Sequence, residues 1–367
     1  MRKLFLISLI ILISNEINAL PRFALMQKDK CIDCHVNPTG GIIRNENGFF
    51  FGKNVISLIS PREQDIKLSP KLTDNVLFGF DYRSQILYSN EKKRADFQDM
   101  TGSLYLSASV SEKIDVLAKY DFVNSIWEGY GIARILPNNS YIKIGSFVPY
   151  FGVRLDDHTS YTRGGDFGLL FSQGISRGLI YNPFYVETSL EFGVNISNFG
   201  LFTASIGKNR FNMPLTSDPN ITTRFEVNQI VGDAALMIGG SFASVKTKFL
   251  GNVLNTKLYG GFAGIGFNRF SMIGEYDKVS DYLAKDAKST ALMVEVSYLL
   301  NVGLEAIMRY DRFDPNTNAD KDEHAHLTIG LEFFPYSFIE LRPQYRIKIE
   351  EPEVSNNSFV LQFHFWY

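Results

Sequence analysis

Beyond Pro70 the chain alternates apolar and polar side chains with a period of two, and it does so to its last residue. Ile339 to Ile349 is the clearest stretch. Ile339, Leu341, Tyr345, Ile347 and Ile349 share one face; Glu340, Arg342, Gln344, Arg346 and Lys348 share the other. In the last stretch, Phe359, Leu361, Phe363, Phe365 and Tyr367 lie opposite Gln362 and His364. Strands with one apolar and one charged face suit a barrel with lipid outside and water inside. Counting such segments from Val76 gives about sixteen strands of about nine to thirteen residues, the length a tilted strand needs to cross a bilayer. The pattern predicts an all-β protein: an antiparallel transmembrane β-barrel of about 16 strands behind a short N-terminal segment. The alternative is a soluble β-sandwich or propeller, with the aromatic faces forming the core and the polar faces in water.

The connections support the barrel. Short ones fall near Ser111-Glu112, Pro137-Asn138, Ser197-Asn198, Gly232-Asp233, Asn268-Arg269, Leu300-Asn301 and Tyr336-Ser337. Longer polar ones lie between them, near Asn90 to Asp99, Pro149 to Ser176, Lys208 to Asn220, Phe249 to Asn255, Asp277 to Lys288, Asp314 to Glu323 and Glu350 to Asn357. Only Val123 to Trp127 is shorter than the alternation requires. Outer-membrane barrels have short periplasmic turns and long outer loops, so an even strand count leaves both termini in the periplasm. The longest connection carries Tyr150, Phe151, Arg154, Asp156, Asp157, His158, Tyr161, Arg163 and Asp166. It either folds into the lumen, where its mixed charges would sort solutes by sign, or lies outside.

Composition agrees with this picture. The chain has 367 residues with 31 Phe, 18 Tyr and 2 Trp, yet shows no apolar run beyond its N-terminus long enough to be a membrane helix. A net charge of -2 speaks against a nucleic-acid partner. Arg2 and Lys3, the apolar Leu4 to Ile13 and the polar Ser14 to Ala19 read as an export signal cleaved after Ala19, although Ile17 is larger than usual for its position. The other reading of this stretch is a membrane anchor. The expected organisation is a signal peptide over 1–19, a cofactor-binding segment over 20–70 and the barrel over 71–367.

The 2 cysteines of the chain stand together as Cys31-Ile32-Asp33-Cys34-His35. C-x-x-C-H is the attachment pattern of a c-type haem: two thiols add across the porphyrin's two vinyl groups, and the next imidazole lies under the ring as proximal iron ligand. One covalent haem c is therefore expected, on Cys31 and Cys34, with His35 on the metal. A disulfide gives His35 no role, and a zinc site lacks a second Cys/His cluster nearby. Pro38, Gly40 and Gly41 make a turn that can approach a flat ligand. Arg44 is a candidate partner for a haem propionate, or else a solvated loop arginine.

Cys31 to Gly52 resembles the N-terminal haem-binding segment of bacterial outer-membrane cytochrome-barrel proteins, C-x-x-C-H-x-N-P-T-G-G-G-x-R-N, with Ile42 where that pattern has a third glycine. Gly145 to Gly152 and Arg309 to Pro315 resemble segments of phosphate-selective-type porins, and the terminal aromatic resembles the end of outer-membrane barrels. The first resemblance again implies haem at Cys31 and Cys34 with His35 as ligand; neither implies a particular solute.

Other chemistry is sparse. Gly174 to Gly178 matches G-x-S-x-G without the strand–turn–helix context a nucleophile elbow needs, and Asp156-Asp157 and Glu350-Glu351 read as solvated loop carboxylates. For the distal iron ligand the candidates are His364, which points into the lumen near the periplasmic end, and Met26, close in sequence. His364 also reads as a lumen polar residue without a metal role, and His158, His324 and His326 fall at the outer end. The expected function is electron transfer at the periplasmic face by a barrel carrying one haem. Its partners are then outer-membrane lipid and a periplasmic cytochrome or other redox protein. The alternative is a diffusion porin whose haem segment acts as plug or redox sensor. A haem enzyme would need an open iron position that the sequence does not reveal.

Overall fold

The computed structural model describes residues 21–29, 31–41, 43–59, 69–155, 159–165, 178–182, 184–197, 199–209, 218–351, 353 and 356–367. The expected export signal, Ile42, His158 and Gly174 to Arg177 lie outside these residues. The helices are α1 (Pro21–Gln27), α2 (Cys31–Cys34) and α3 (Glu46–Asn54). The strands are β1 (Lys71–Thr73), β2 (Val76–Ser89), β3 (Arg94–Ser111), β4 (Ile114–Asp121), β5 (Ile126–Ala133) and β6 (Tyr141–Phe147). They continue with β7 (Glu187–Ile196), β8 (Gly200–Asn209), β9 (Asn220–Val231), β10 (Ala234–Phe249), β11 (Asn252–Phe267) and β12 (Phe270–Ser280). The last are β13 (Lys288–Asn301), β14 (Leu304–Asp314), β15 (His324–Phe333), β16 (Ile339–Glu350) and β17 (Ser358–Trp366).

Each of β2 to β17 pairs antiparallel with its sequence neighbours, and β17 closes on β2 in the register Ser358↔Ser89 to Trp366↔Asp81. β1 is a stub that pairs with the start of β2, so the 17-stranded sheet is a closed 16-strand wall plus that stub. Closure leaves no open sheet edge, as a bilayer demands. Pro343 has no N–H to give; the register to β17 runs through it, while that to β15 breaks between Gln344 and Leu341.

Burial is inverted relative to a water-soluble protein. On β16, Glu340, Gln344, Arg346 and Lys348 are buried towards the lumen, while Tyr345 and Ile349 are exposed. On β17, Gln362, His364 and Trp366 face inward and Phe359 and Phe365 outward. Ile144 and Ile238 on the outer wall are each 63% exposed, which in water would forfeit roughly 25 cal/mol for every Å² of apolar surface. The outer surface is therefore one that lipid covers, and the soluble sandwich is excluded.

Strand lengths depart from the sequence expectation at two of the long connections. β2 and β3 are joined by Asn90–Lys93 alone, and β10 and β11 by Leu250 and Gly251, both at positive φ. The flanking strands accordingly reach 18 residues in β3 and 16 in β10 and β11. Hairpins that continue past the hydrocarbon carry polar side chains on both faces, so loss of alternation there marks the membrane boundary rather than the end of the strand.

Candidate functional site

The cysteine segment folds around its own turn chemistry. The Asn37 side chain accepts from Thr39 Oγ1 (3.1 Å) and donates to the Gly40 carbonyl (2.9 Å), a local turn of the kind short amide side chains make. Gly40 and Gly41 then take φ of 76° and 111°, left-handed geometry that a side chain resists. The chain returns to bridge Arg44 with His35. Asn45 caps α3 by accepting from Gly48 N (3.0 Å), and its amide nitrogen donates to the carbonyls of Ile32 (3.0 Å) and Asp33 (3.1 Å). One asparagine thus holds α3 against α2.

α2 is a single helical turn, closed by the His35 N–H donating to the Cys31 carbonyl (2.8 Å). His35 Nδ1 lies 3.3 Å from the Ile43 carbonyl, which can only accept, so Nδ1 is the donor; in the neutral ring this tautomer puts the lone pair on Nε2. That tautomer suits a metal ligand, with the backbone carbonyl fixing the ring. Cys31, Cys34, His35 and Arg44 all line one cavity of about 320 Å³, together with Trp366 and His364 of β17. Burial, followed by the charge of Glu226, pushes the Cys31 thiol up to about 12. Burial, Asp29 and Asp33 push Cys34 up to about 11. Both shifts run opposite to the lowering that makes a thiol reactive. Both are unpaired with one another.

The segment is seated inside the short-turn end of the barrel. Leu25 of α1 packs against Met237, Ile273 and Met293 of the wall. Arg22 is clamped by Glu332, with Glu295 and Glu305 each at 3.5 Å. Arg134, just past β5, bonds Asp115 and donates to the Val36 carbonyl (2.7 Å). Phe49 of α3 meets Phe338 (5.1 Å between ring centroids) and Tyr367 (5.4 Å), so the end of the chain packs on the helix that follows the cysteines. Lys53 O accepts from Ser337 in the β15–β16 turn, and Leu58 N donates to Phe334 O (2.9 Å).

The remaining candidates divide. Arg44 donates to Tyr105 OH (3.3 Å) and lies over Trp366 at 5.8 Å, inside the cavity. His364 is in the cavity too, but its ring nitrogens meet Glu340 (2.7 Å from Nδ1) and Asp81 (3.0 Å from Nε2). To bind a metal it would have to release one carboxylate. Met26, on α1, is half-buried and stands outside the cavity lining. Sequence reasoning overlooked Arg22 and Trp366 as lining residues. Parity with His364 places Trp366 on the lumen face, whereas nothing local marks Arg22.

From the opposite end, the long connection after β6 folds into the lumen. Its Tyr150, Phe151, Val153, Tyr161, Thr162 and Arg163 are buried. Gly152 N donates to Ser241 Oγ (2.9 Å), Ser160 Oγ to Asp311 (2.7 Å) and Lys348 Nζ to Tyr161 OH (3.1 Å). Arg163 pairs with Glu275 at 2.8 Å, both buried. Val153 and Cys31 belong to one apolar cluster, and the Arg154 side chain lies against Gly40 and Gly41, so loop and cysteine segment adjoin inside the barrel.

Comparison with solved structures places this architecture. The chain has the fold of the outer-membrane porins. It is similar to Pseudomonas putida OprB over 80% of this chain and 94% of that one (TM-score 0.59, 10% identity). It is similar to the anion-selective porin from Comamonas acidovorans over 80% and 99% (TM-score 0.56, 11% identity). It is also similar to the outer membrane channel DcaP of Acinetobacter baumannii over 80% and 97% (TM-score 0.52, 12% identity). At such identities the likeness is one of fold alone. No family model matches the sequence, and no curated protein matches it.

Proposed function

We propose that this porin-type barrel sits in the bacterial outer membrane and carries one covalent haem c inside its periplasmic end, where it exchanges electrons with a periplasmic redox protein. The observation that carries the reading is the shared cavity: Cys31, Cys34, His35 and Arg44 line one space, and the contact of His35 Nδ1 with a backbone carbonyl leaves Nε2 as the nitrogen for iron. Cys31 and Cys34 would each add sulfur and hydrogen across one vinyl double bond, a step that needs no oxidant. His35 would bind the iron, and Arg44 would meet a propionate. The bound haem supplies one-electron exchange between ferric and ferrous iron. Trp366, Phe23, Phe51 and Phe334 line the same space and keep it apolar on one side. Because the segment lies at the short-turn end, and the hydrocarbon is about 25 Å thick, a single haem there serves a partner on the periplasmic side only.

A second reading has its own support. The segment from one end and the loop from the other adjoin at Gly40, Gly41 and Arg154, which favours a diffusion porin held shut by a haem-bearing plug. The deciding experiment is a haem-stained gel of the outer-membrane fraction with the wild type, Cys31→Ala and His35→Ala, followed by redox titration. Stain at the mass of the chain, lost in Cys31→Ala, together with reversible reduction by a periplasmic donor, is expected. An unstained wild type overturns the haem; a stained protein that conducts ions but takes no electrons favours the plug.

A further inference from the structure

We propose that Trp366, near the end of the strand that closes the barrel, is a haem-binding residue whose indole N–H donates to a propionate. The inference rests on the haem reading above and adds a residue of the wall to it. Trp366 stands two positions after His364 on β17, so it shares the lumen face, and it is 5% exposed. Its nitrogen edge faces the cysteine segment: a Cβ added to Gly52 of α3 would stand 2.8 Å from Trp366 Nε1. Gly52 and Trp366 both line the cavity of about 320 Å³, together with Cys31, Cys34 and His35. The ring itself packs on Phe334 (5.8 Å between centroids), Phe338 (6.5 Å) and His364 (4.9 Å). A buried indole usually finds an acceptor for its N–H. Among the described residues no acceptor is bonded to this one, while the backbone N–H of Trp366 donates to Phe338 O (3.1 Å). A carboxylate carried into the cavity by the macrocycle would meet that need.

The same ring helps to place Arg44. The Arg44 guanidinium lies over Trp366 at 5.8 Å and donates to Tyr105 OH (3.3 Å), which in turn donates to the Tyr367 carbonyl (3.0 Å). Trp366 thus has a cation above its face and an N–H at its edge, both beside one cavity. Arg83 and Arg154 line the cavity as well, so charge alone does not choose among its arginines. The indole differs in kind, because it is a neutral donor in the plane of a ring and its contact can be read by itself. The chain has 2 tryptophans, and the other, Trp127, stands on the outward face of β5 at 46% exposure. Because β17 pairs with β2, a haem bonded to Trp366 is tied to the seam where the barrel closes.

The test uses the purified full-length barrel carrying Trp127→Phe, in which Trp366 is the remaining tryptophan. Ultraviolet resonance Raman spectra report whether an indole N–H is hydrogen-bonded. The N–H band should differ between the haem-loaded barrel and a haem-free one made with Cys31→Ala and Cys34→Ala. Trp366→Phe keeps an aromatic ring and removes the donor, which leaves more negative charge on the propionate and favours the ferric form. The equilibrium should move about threefold, or ~28 mV for one electron, and one propionate band should shift. An indole band that is the same with and without haem overturns the role of Trp366, as does a loaded Trp366→Phe barrel with unchanged potential and propionate bands. If Trp366→Phe fails to assemble, Gly52→Ala decides, since its methyl group crowds Nε1 from the segment side: unmoved indole and propionate bands overturn the assignment. A wild type without haem overturns the underlying reading instead.

Discussion

A methyl group on Gly48 would stand 2.1 Å from the carbonyl oxygen of Cys34, so α3 can lie against the cysteine turn only because residue 48 has no side chain. Gly48→Ala should push the two helices apart, an overpacking change that costs about 1–3 kcal/mol. The barrel wall does not depend on this contact. Limited proteolysis should therefore cut within residues 21–59 of the variant while the barrel keeps its heat-modifiable migration on gels. Equal protease resistance in variant and wild type counts against the described packing.

The thiols offer a pH test. Burial disfavours the thiolate, so haem-free protein should alkylate slowly at neutral pH, with rates climbing as pH approaches about 11 for Cys34 and about 12 for Cys31. Cys34 should react first, since it is the less buried. In haem-loaded protein both sulfurs are thioethers, and iodoacetamide should label neither at any pH. Mass spectrometry of the labelled chains reads both results, and rapid labelling at pH 7 contradicts the buried placement.

His364 stands between Asp81 and Glu340, with 8% of its side chain exposed against 1% and 8% for theirs. The ring bridges two buried carboxylates, and removing one member of such a cluster costs about 3–5 kcal/mol. His364→Gln should lower the unfolding midpoint of the barrel and leave the haem absorption bands in place. A loss of those bands at unchanged stability would show instead that the ring ligates iron.

Much of this was legible in the sequence. Alternation such as Glu340/Leu341/Arg342 records two solvents directly, because each residue of a strand reports one side of the wall, and the short turns could be placed to within a residue or two. The haem proposal comes from the cysteine spacing alone. What could not be read is which distant residues meet it. Arg22, Trp366 and Arg154 reach one cavity only after sixteen strands have closed into a ring, and strand periodicity carries no record of that closure. The ends of the longest hairpins were hidden for a different reason: beyond the lipid both faces are wet, and the alternation that reveals a strand disappears while the strand goes on.

The inward loop gives the last test. Arg163 and Glu275 form a buried pair at 2.8 Å, and Arg163 also donates to the carbonyls of Phe151 and Val153, so this one side chain ties the two legs of the loop to β12. Glu275→Gln keeps the shape and removes the charge, leaving the guanidinium buried without its partner, a loss of about 3–5 kcal/mol at the loop. The loop should leave the wall more often, and single-channel conductance in planar bilayers should rise or flicker. Deleting 21–59 instead removes the obstruction from the other end, and the double change should conduct more than either alone, because the two elements adjoin at Arg154 and the Gly40–Gly41 turn. If both single changes conduct like the wild type, neither the loop nor the segment limits passage through the barrel.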